Sequence, residues 1–349
     1  MLRMGRLIIE KGDGRKMSDS IEVSVICITY NQIDYIEKAL LNIVTQKTNF
    51  RFEVIVHDDA STDGTADVVR SFAKQYPDLI IPILQEENQY SKKVKITTSL
   101  LPRLKGKYFA FCEGDDYWYD EYKLQKQFDA MEANPNCSLC VHKTQNINED
   151  GSMYPSIQGE FIGLKEGILN TETICKLFLK KPTTIFHTSS YFIRLSMFRD
   201  IYLSSPEFTK YATGGDQSML RVCMTQGEYY YLDDIMTCYR RFAKGSINSS
   251  QRNADKAYWK QYYSKYAASN IEFDKFSNYR FHDYIRGWIG INIMNLGKYD
   301  TVETKNLLKE YDIRLKDLFI SHEFKYYIKY VLIRYCPHLC SLLYKSKKS

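Results

Sequence analysis

Carboxylates in this chain collect where apolar runs end. RFEVIVHDD (51–59) stops at Asp58 and Asp59, FAFCEGDDYW (109–118) sets Glu113, Asp115 and Asp116 before two bulky rings, and TGGDQSML (213–220) places Asp216 at a helical pattern. Like charges this close repel and raise each other's pKa, so an adjacent pair points to a solvated turn or to a cation held between them. On a strand, neighbouring side chains face opposite ways; only a turn lets both members of a pair reach one ligand, and Gly114 after an apolar strand supplies that turn. Such a pair suits a hard divalent cation, Mg2+ or Mn2+, which takes carboxylate oxygens and keeps positions open for phosphate. A solvated loop with helix-capping carboxylates is the competing reading, and this stretch alone leaves both open.

The elements around these clusters alternate. EVSVICITYN (22–31) has the β-branched content of a buried strand, and DYIEKALLNIVTQ (34–46) repeats apolar residues at Ile36, Leu40, Ile43 and Val44, one face of a helix. A strand at 51–59, a helix opened by STDGT and closed at Pro77, a strand at 79–84, a helical segment at 96–105, a strand at 107–112 and a helix through 122–135 follow. This alternation predicts right-handed crossovers and a mainly parallel sheet covered on both faces. Ligands of such sheets sit beyond the carboxyl ends of the strands. Thr29, Tyr30 and Asn31, Asp58 and Asp59, and Glu113 to Asp116 all fall at those ends, so one crevice is expected to collect them. Past residue 135 the pattern loosens: CSLCVHKTQNI (137–147) is a strand, 143–170 is turn-rich, HTSSYFIR (187–194) is a short strand, TGGDQSMLRVCMTQG opens and closes a helix with glycine, and EYYYLDD and IMTCYRR are two strands. From about 253 the sequence is helical, aromatic and lysine-rich, which places a boundary near 250.

With 349 residues and 44% hydrophobic content the chain buries a proper core. Its net charge of +6 is unevenly spread, because residues 325–349 carry lysines and arginines but no Asp or Glu. The nine cysteines follow no framework and no cleavable signal precedes them, which reads as free thiols in a reducing cytoplasm. No apolar run reaches the roughly 18–20 residues of a spanning helix. Residues 1–20 read as a poorly ordered lead-in, with Met17 an alternative start.

The ordered set VSVICITYN, EVIVHDDASTDGT and KYFAFCEGDDYW, each closing a strand, resembles the family 2 glycosyltransferases of GT-A fold found in bacterial capsule, O-antigen and exopolysaccharide synthesis. The likeness is strong over 21–142 and thinner over 143–245. It implies a Rossmann-like α/β domain over 21–250, with a donor-binding half at 21–142 and an acceptor half at 143–250, followed by a helical, basic extension at 251–349. It also implies that Thr29, Tyr30 and Asn31 receive the nucleotide base, that Asp59 hydrogen-bonds it, that Asp115 and Asp116 hold ribose and Mn2+ or Mg2+, and that Asp216 of GGDQSM is the general base. The family often has Glu-Asp at that last site; this chain has Gly215-Asp216, with Gln217 after it. Glu113, Tyr117 and Trp118 are expected to shape the sugar or acceptor pocket together with Gly215 and Gln217.

YRRFAKGSIN (239–248) resembles the YR.H..S loop of such enzymes, with Phe242 where His is common, and offers Arg240, Arg241 and Lys244 to the diphosphate. QEENQYSKK (85–93) lies where the family closes over the donor, offering Asn88 and Lys92. CSLCVH (137–142) lacks a partner CxxC, so Cys137 and Cys140 read as buried thiols, on opposite faces of a strand. The tail EFKYYIKYVLIRYCPHLCSLLYKSKKS suits the surface of an anionic bilayer. The expectation is therefore a metal-dependent, inverting hexosyl- or N-acetylhexosaminyl-transferase, cytoplasmic and peripheral on the inner face of the membrane. It moves a sugar from a nucleotide donor, a UDP-sugar, to a glycan or lipid-linked acceptor; no nucleic acid is expected as partner. A sugar nucleotidyltransferase is the alternative enzyme, though TYNQIDY lacks that class's glycine-rich basic loop, and a non-catalytic nucleotide-sugar-binding subunit is the alternative without turnover.

Overall fold

The computed structural model describes residues 20–180, 185–212, 214–244, 246, 254–297, 300–321, 324–336 and 338. The lead-in with Met17 and the last residues of the basic tail lie outside them. Residues 21–133 follow the expected alternation: β1 (Ile21–Thr29), α1 (Ile36–Val44), β2 (Arg51–Asp58), α2 (Thr65–Gln75), β3 (Ile80–Leu84), α3 (Ile96–Leu100), β4 (Tyr108–Glu113), β5 (Tyr117–Trp118) and α4 (Lys123–Ala133). Next come β6 (Cys137–Ile147), β7 (Met153–Gln158), β8 (Gly167–Leu169), α5 (Thr171–Lys180), β9 (Phe192–Arg194), α6 (Leu195–Leu203), α7 (Gly215–Gln226) and β10 (Glu228–Arg240). Five helices close the described chain: α8 (Lys256–Phe276), α9 (His282–Leu296), α10 (Thr301–Glu310), α11 (Leu315–Phe319) and α12 (Phe324–Tyr335).

The strands form one sheet in the order β3-β2-β1-β4-β9-β6-β10-β5, with β7 beside β6 and β8 beside β10. Its long ladders, β2 on β3, β1 on β2 and β4, and β6 on β10, are parallel, and the short pairings that close it are antiparallel. Side-chain alternation divides the core. Val23, Val25 and Cys27 of β1 and Tyr108, Ala110 and Cys112 of β4 pack in a layer with Ile36, Leu40 and Ile43 of α1, while Ile26, Phe109 and Phe111 face the opposite layer. That second layer runs without a break through α5, α6 and α7 into Phe273, Trp288 and Leu308 of the C-terminal helices.

Four local expectations change. EYYYLDD and IMTCYRR are one strand, β10, whose register against β6 shifts around Asp233 and Asp234; a bulge takes up the residues that looked like a turn. The turn-rich stretch after 143 contains β7 and β8, too short and too polar on one side to show a period. In HTSSYFIR only Phe192–Arg194 pairs, because Thr188–Ser190 coils into a 3₁₀ turn. Cys137 and Cys140 pack in the same layer, since a register shift after Cys137 resets the alternation; both thiols are buried, and burial raises both pKa values.

At the other end of the strands from the acidic turn, Ser24 Oγ donates to Glu53 Oε1 at 2.7 Å and accepts from the Gly106 N–H at 2.9 Å. A side chain at 106 would bring Cβ to 2.5 Å from Ser24 N and 2.6 Å from the Tyr108 carbonyl oxygen, both backbone atoms that cannot turn aside. Gly106→Ala is therefore expected to lower the unfolding free energy by about 1–3 kcal/mol, the usual cost of overpacking. Urea unfolding measures this; an unchanged midpoint would show that the backbone where Gly106 meets β1 yields freely.

Candidate active site

The parallel register sets Thr29 beside Asp58 and Ile28 beside Glu113, so β1, β2 and β4 present their carboxyl ends side by side. The loops beyond them are tied to one another. Asp58 accepts from Ser61 Oγ at 2.5 Å and from the Ser61 N–H at 3.0 Å, and Ala60 between them takes φ 64°, a conformation uncommon for a residue with a Cβ. Asn31 N–H donates to Ser61 Oγ, and Asn31 Oδ1 accepts from the Thr62 N–H, both at 2.8 Å. Tyr30, 46% exposed, leaves a ring face open for stacking.

Asp59 is buried, and each of its carboxylate oxygens carries one hydrogen bond from the protein. Its two carboxylate oxygens accept from the backbone N–H groups of Gln89 and Tyr90, at 2.7 and 3.0 Å, and its carbonyl accepts from Asn88 Nδ2 at 3.1 Å. Asn88 thus closes the 85–93 segment onto the crevice, while Lys92 pairs with Glu87 in solvent.

Gly114 is where β4 turns. Its N–H donates to the Ile28 carbonyl at 2.9 Å, and a Cβ there would strike Gln32 Oε1 at 2.4 Å and Thr29 Oγ1 at 2.7 Å. Past the turn, Asp116 is 1% exposed: Oδ1 accepts from the Arg240 N–H at 2.9 Å and Oδ2 from Ser189 Oγ at 2.6 Å. Burial, then the charges of Asp115 and Glu113, raise its pKa well above the ordinary carboxylate value. Burial also lifts Asp115, opposed by Arg240 and by a hydrogen bond from Gln32. Glu113 goes to about 8, through burial first and then the charges of Asp115 and Asp216. Asp216, in the first turn of α7, is therefore electrostatically coupled to the acidic turn, and it acts on Tyr191 and Tyr202 as well. Gly215 precedes it; Gln217 after it is buried, with Oε1 unpartnered among the described residues.

The 3₁₀ turn supplies a residue that sequence reading passed over. His187 is buried, its ring stacked on Tyr239 at 4.1 Å between centroids and its Nδ1 3.1 Å from Ser189 Oγ and 3.6 Å from Asp116 Oδ2. Burial pushes its pKa down to about 3, so the imidazole is neutral. Glu113, Asp116 and His187 each bring one donor atom to a common space, all within 4.8 Å of one another. These donor types and this convergence fit a divalent cation. The sequence signal was faint: a His before two serines, ahead of a strand pattern.

Other expected residues sit differently. Trp118 is 2% exposed and donates Nε1–H to the Phe111 carbonyl, with Lys123 over its ring, so it belongs to the core and cannot wall a pocket. Lys38 lies 3.6 Å over the ring of Tyr117, which holds that residue against α1. Arg240 is buried and spends its guanidinium on the carbonyls of Asp115, Asn148 and Glu149, so its reach to a diphosphate is limited. Arg241 stacks on Tyr154 and Phe242, and Lys244 is exposed.

Among the described residues, no helix is long and apolar enough to cross a membrane. The solved structure of S. aureus TarS in complex with UDP-GlcNAc matches 90% of this chain and 93% of its own, with a TM-score of 0.56 at 17% identity, which establishes a GT-A fold. An uncharacterized protein of Mycobacterium bovis is 30% identical over 245 residues, covering 68% of this chain and 63% of its own length. TuaG of Bacillus subtilis, which carries the name of a teichuronic acid biosynthesis glycosyltransferase, is 37% identical over 130 residues, 37% of this chain and 49% of its own. The chain thus spans less than two thirds of the length of these curated relatives. What the order of the strand-end motifs implied, the family comparison bears out: residues 24–201 match the model of glycosyl transferase family 2, and this chain is a member of that family.

Proposed function

We propose that the protein is an inverting, metal-assisted glycosyltransferase that moves a hexosyl or N-acetylhexosaminyl group from a nucleotide-sugar, first of all a UDP-sugar, to a hydroxyl of a cell-surface glycan or lipid-linked acceptor. The observation that carries this is the meeting of the β1, β2 and β4 carboxyl ends with the Asp216 helix across one acidic crevice. Asp59 and the 29–31 turn hold the base, and Asp115 the ribose. Asp116, Glu113 and His187 are the residues that would hold Mn2+ or Mg2+. A cation held there would supply Lewis-acid neutralisation of charge on the departing diphosphate. From the opposite side Asp216 takes the proton of the acceptor hydroxyl as its oxygen bonds to the anomeric carbon and the bond to the diphosphate oxygen breaks. One such displacement inverts the anomeric centre.

The unit that does this is proposed to be residues 21–250, with 251–349 as an extension that meets the membrane from the cytoplasmic side. On α12, Phe324, Ile328, Val331 and Tyr335 are all exposed and recur at the spacing of one helical face, beside Lys325. No Asp or Glu follows Glu323. An anionic bilayer fits an apolar stripe on a chain end of this charge.

A thermal-shift screen of UDP- and GDP-sugars with and without Mn2+ tests the donor reading; one nucleotide-sugar should raise the melting temperature only with metal, and a flat screen would sink it. UDP comes first because TarS, of the same fold, is known with UDP and UDP-GlcNAc. Asp216→Asn should keep that donor-induced shift while kcat falls about 10²- to 10⁴-fold, the range of a lost general base; kcat within twofold of wild type removes Asp216 from the role. Glu113 gives a pH test without metal. Its carboxyl is raised from 4.5 to about 8 in the fold, so over that window the folded state binds more protons than the unfolded chain and stability falls as pH rises. In EDTA the melting temperature should decline from pH 4.5 to 8, and Glu113→Gln should flatten that decline; parallel curves would contradict the shift. Finally, the pair Ile328→Glu and Val331→Glu, both at exposed positions, should abolish co-sedimentation with phosphatidylglycerol vesicles. Unchanged partitioning, or loss only of self-association in sedimentation velocity, would discard the membrane face.

A further inference from the structure

We propose that His187 is the nitrogen ligand of the cation held by Glu113 and Asp116, and that it gives the site a preference for Mn2+ over Mg2+. This rests on the metal-assisted reading above and names a ligand from outside the acidic motif, on the 3₁₀ turn ahead of β9.

The geometry comes first. A ring nitrogen of His187 lies within 4.8 Å of a carboxylate oxygen of Glu113 and of Asp116, which lie within the same distance of each other. The ring is held still: Tyr239 stacks on one face, and Nδ1 faces Ser189 Oγ at 3.1 Å and the Ser189 N–H at 3.3 Å. Ser189 gives its hydroxyl proton to Asp116 Oδ2 at 2.6 Å, so one serine orients both the imidazole and the carboxylate. In the tautomer with the proton on Nδ1, that nitrogen donates to Ser189 Oγ, and outer hydrogen bonds of this kind fix a metal-binding His and its partner ligand. In that tautomer the second ring nitrogen carries the lone pair that a cation needs.

Charge points the same way. Asp115 and Asp116 are buried and Glu113 partly so, and the guanidinium of Arg240, whose charge reaches Asp115, is turned to the carbonyls of Asp115, Asn148 and Glu149. Uncompensated charge in a low-dielectric site is costly, and a divalent cation is the species that relieves it. Imidazole in the donor set then separates the candidates. Mg2+ favours an all-oxygen octahedron with retained waters, whereas the transition ion accepts nitrogen more readily, in keeping with the order of site affinities across the first-row metals.

The test uses the full chain with Mn2+ alone and Mn2+ with UDP. Electron spin-echo modulation of bound Mn2+ should show directly coordinated ¹⁴N in wild-type protein, a reading that needs no variant and stands even if substitutions at 187 fold poorly. In His187→Gln that coupling should vanish and Mn2+ affinity fall at least about 10-fold, with Mg2+ affinity changed less than about threefold. Equal weakening of both ions would mean a structural role and would overturn the proposal. Mn2+ bound by wild type without nitrogen coupling overturns His187 as a ligand and leaves the metal reading standing. If wild type binds no Mn2+ while Asp115→Asn behaves identically, both fail together, and nucleotide release from a donor still decides the transferase reading.

Discussion

The site is organised around one buried carboxylate. Asp116 accepts from the backbone N–H that ends β10 and from the side chain of the turn before β9, so two segments distant in sequence are pinned to the tip of β4. Burying an unpaired carboxylate costs several kcal/mol, and hydrogen bonds to charged groups return roughly 1.5–3 kcal/mol each. Asp116 is therefore tolerable only if Ser189 and Arg240 are where they are. Arg240 depends on the same arrangement: with its N–H given to Asp116, its side chain runs back over Tyr35 and onto the Asp115, Asn148 and Glu149 carbonyls. Two charged residues that would each be expensive alone are solved by one geometry.

That geometry explains the glycine as well as the acids. β4 and β1 run in register up to Ile28 and Glu113, and the chain must then turn so tightly that Thr29 and Gln32 occupy the space of any Cβ at 114. Without the turn, Asp115 and Asp116 would alternate across a strand and could not serve one site. With it, Asp116 goes inward to the β10 and 3₁₀ segments, and Asp115 goes toward Gln32 beyond β1. The adjacent aspartates do different work because a one-residue step here reverses direction.

Much of this was legible in sequence because it rests on short-range rules. Buried strands read as apolar runs, their ends as polar clusters, and parallel order placed those clusters in one crevice. What escaped depends on contacts between distant segments. His187 acquires meaning only when the 3₁₀ turn is brought against β4, and nothing in HTSSYFIR measures that distance. Trp118 looked like a pocket wall because it follows the acids, yet β5 pairs with Thr237 and Cys238 and carries the indole into the core. Asp59 ended its strand as expected, but its grip on the Gln89 and Tyr90 N–H groups belongs to a loop with no pattern of its own. β10 was split in two because a bulge and a turn draw on the same polar residues.

The C-terminal helices bear on the site through the far end of α7. Arg221, one turn and a half along from Asp216, is fully buried and donates to Ser269 Oγ at 2.7 Å and Asn270 Oδ1 at 2.8 Å on α8. Ser269 in turn donates to the Phe208 carbonyl, just ahead of α7. Burial lowers the Arg221 pKa, while Tyr266 and Asp216 oppose that effect, so the guanidinium senses the carboxylate on its own helix and the phenol on the next. The helix whose first turn carries Asp216 is thus anchored from behind by α8. The apolar layer shared by α7, α8 and α9 stiffens the same joint. On this geometry the helical region does more than follow the α/β domain: through a buried arginine it sets the orientation of the helix that carries Asp216.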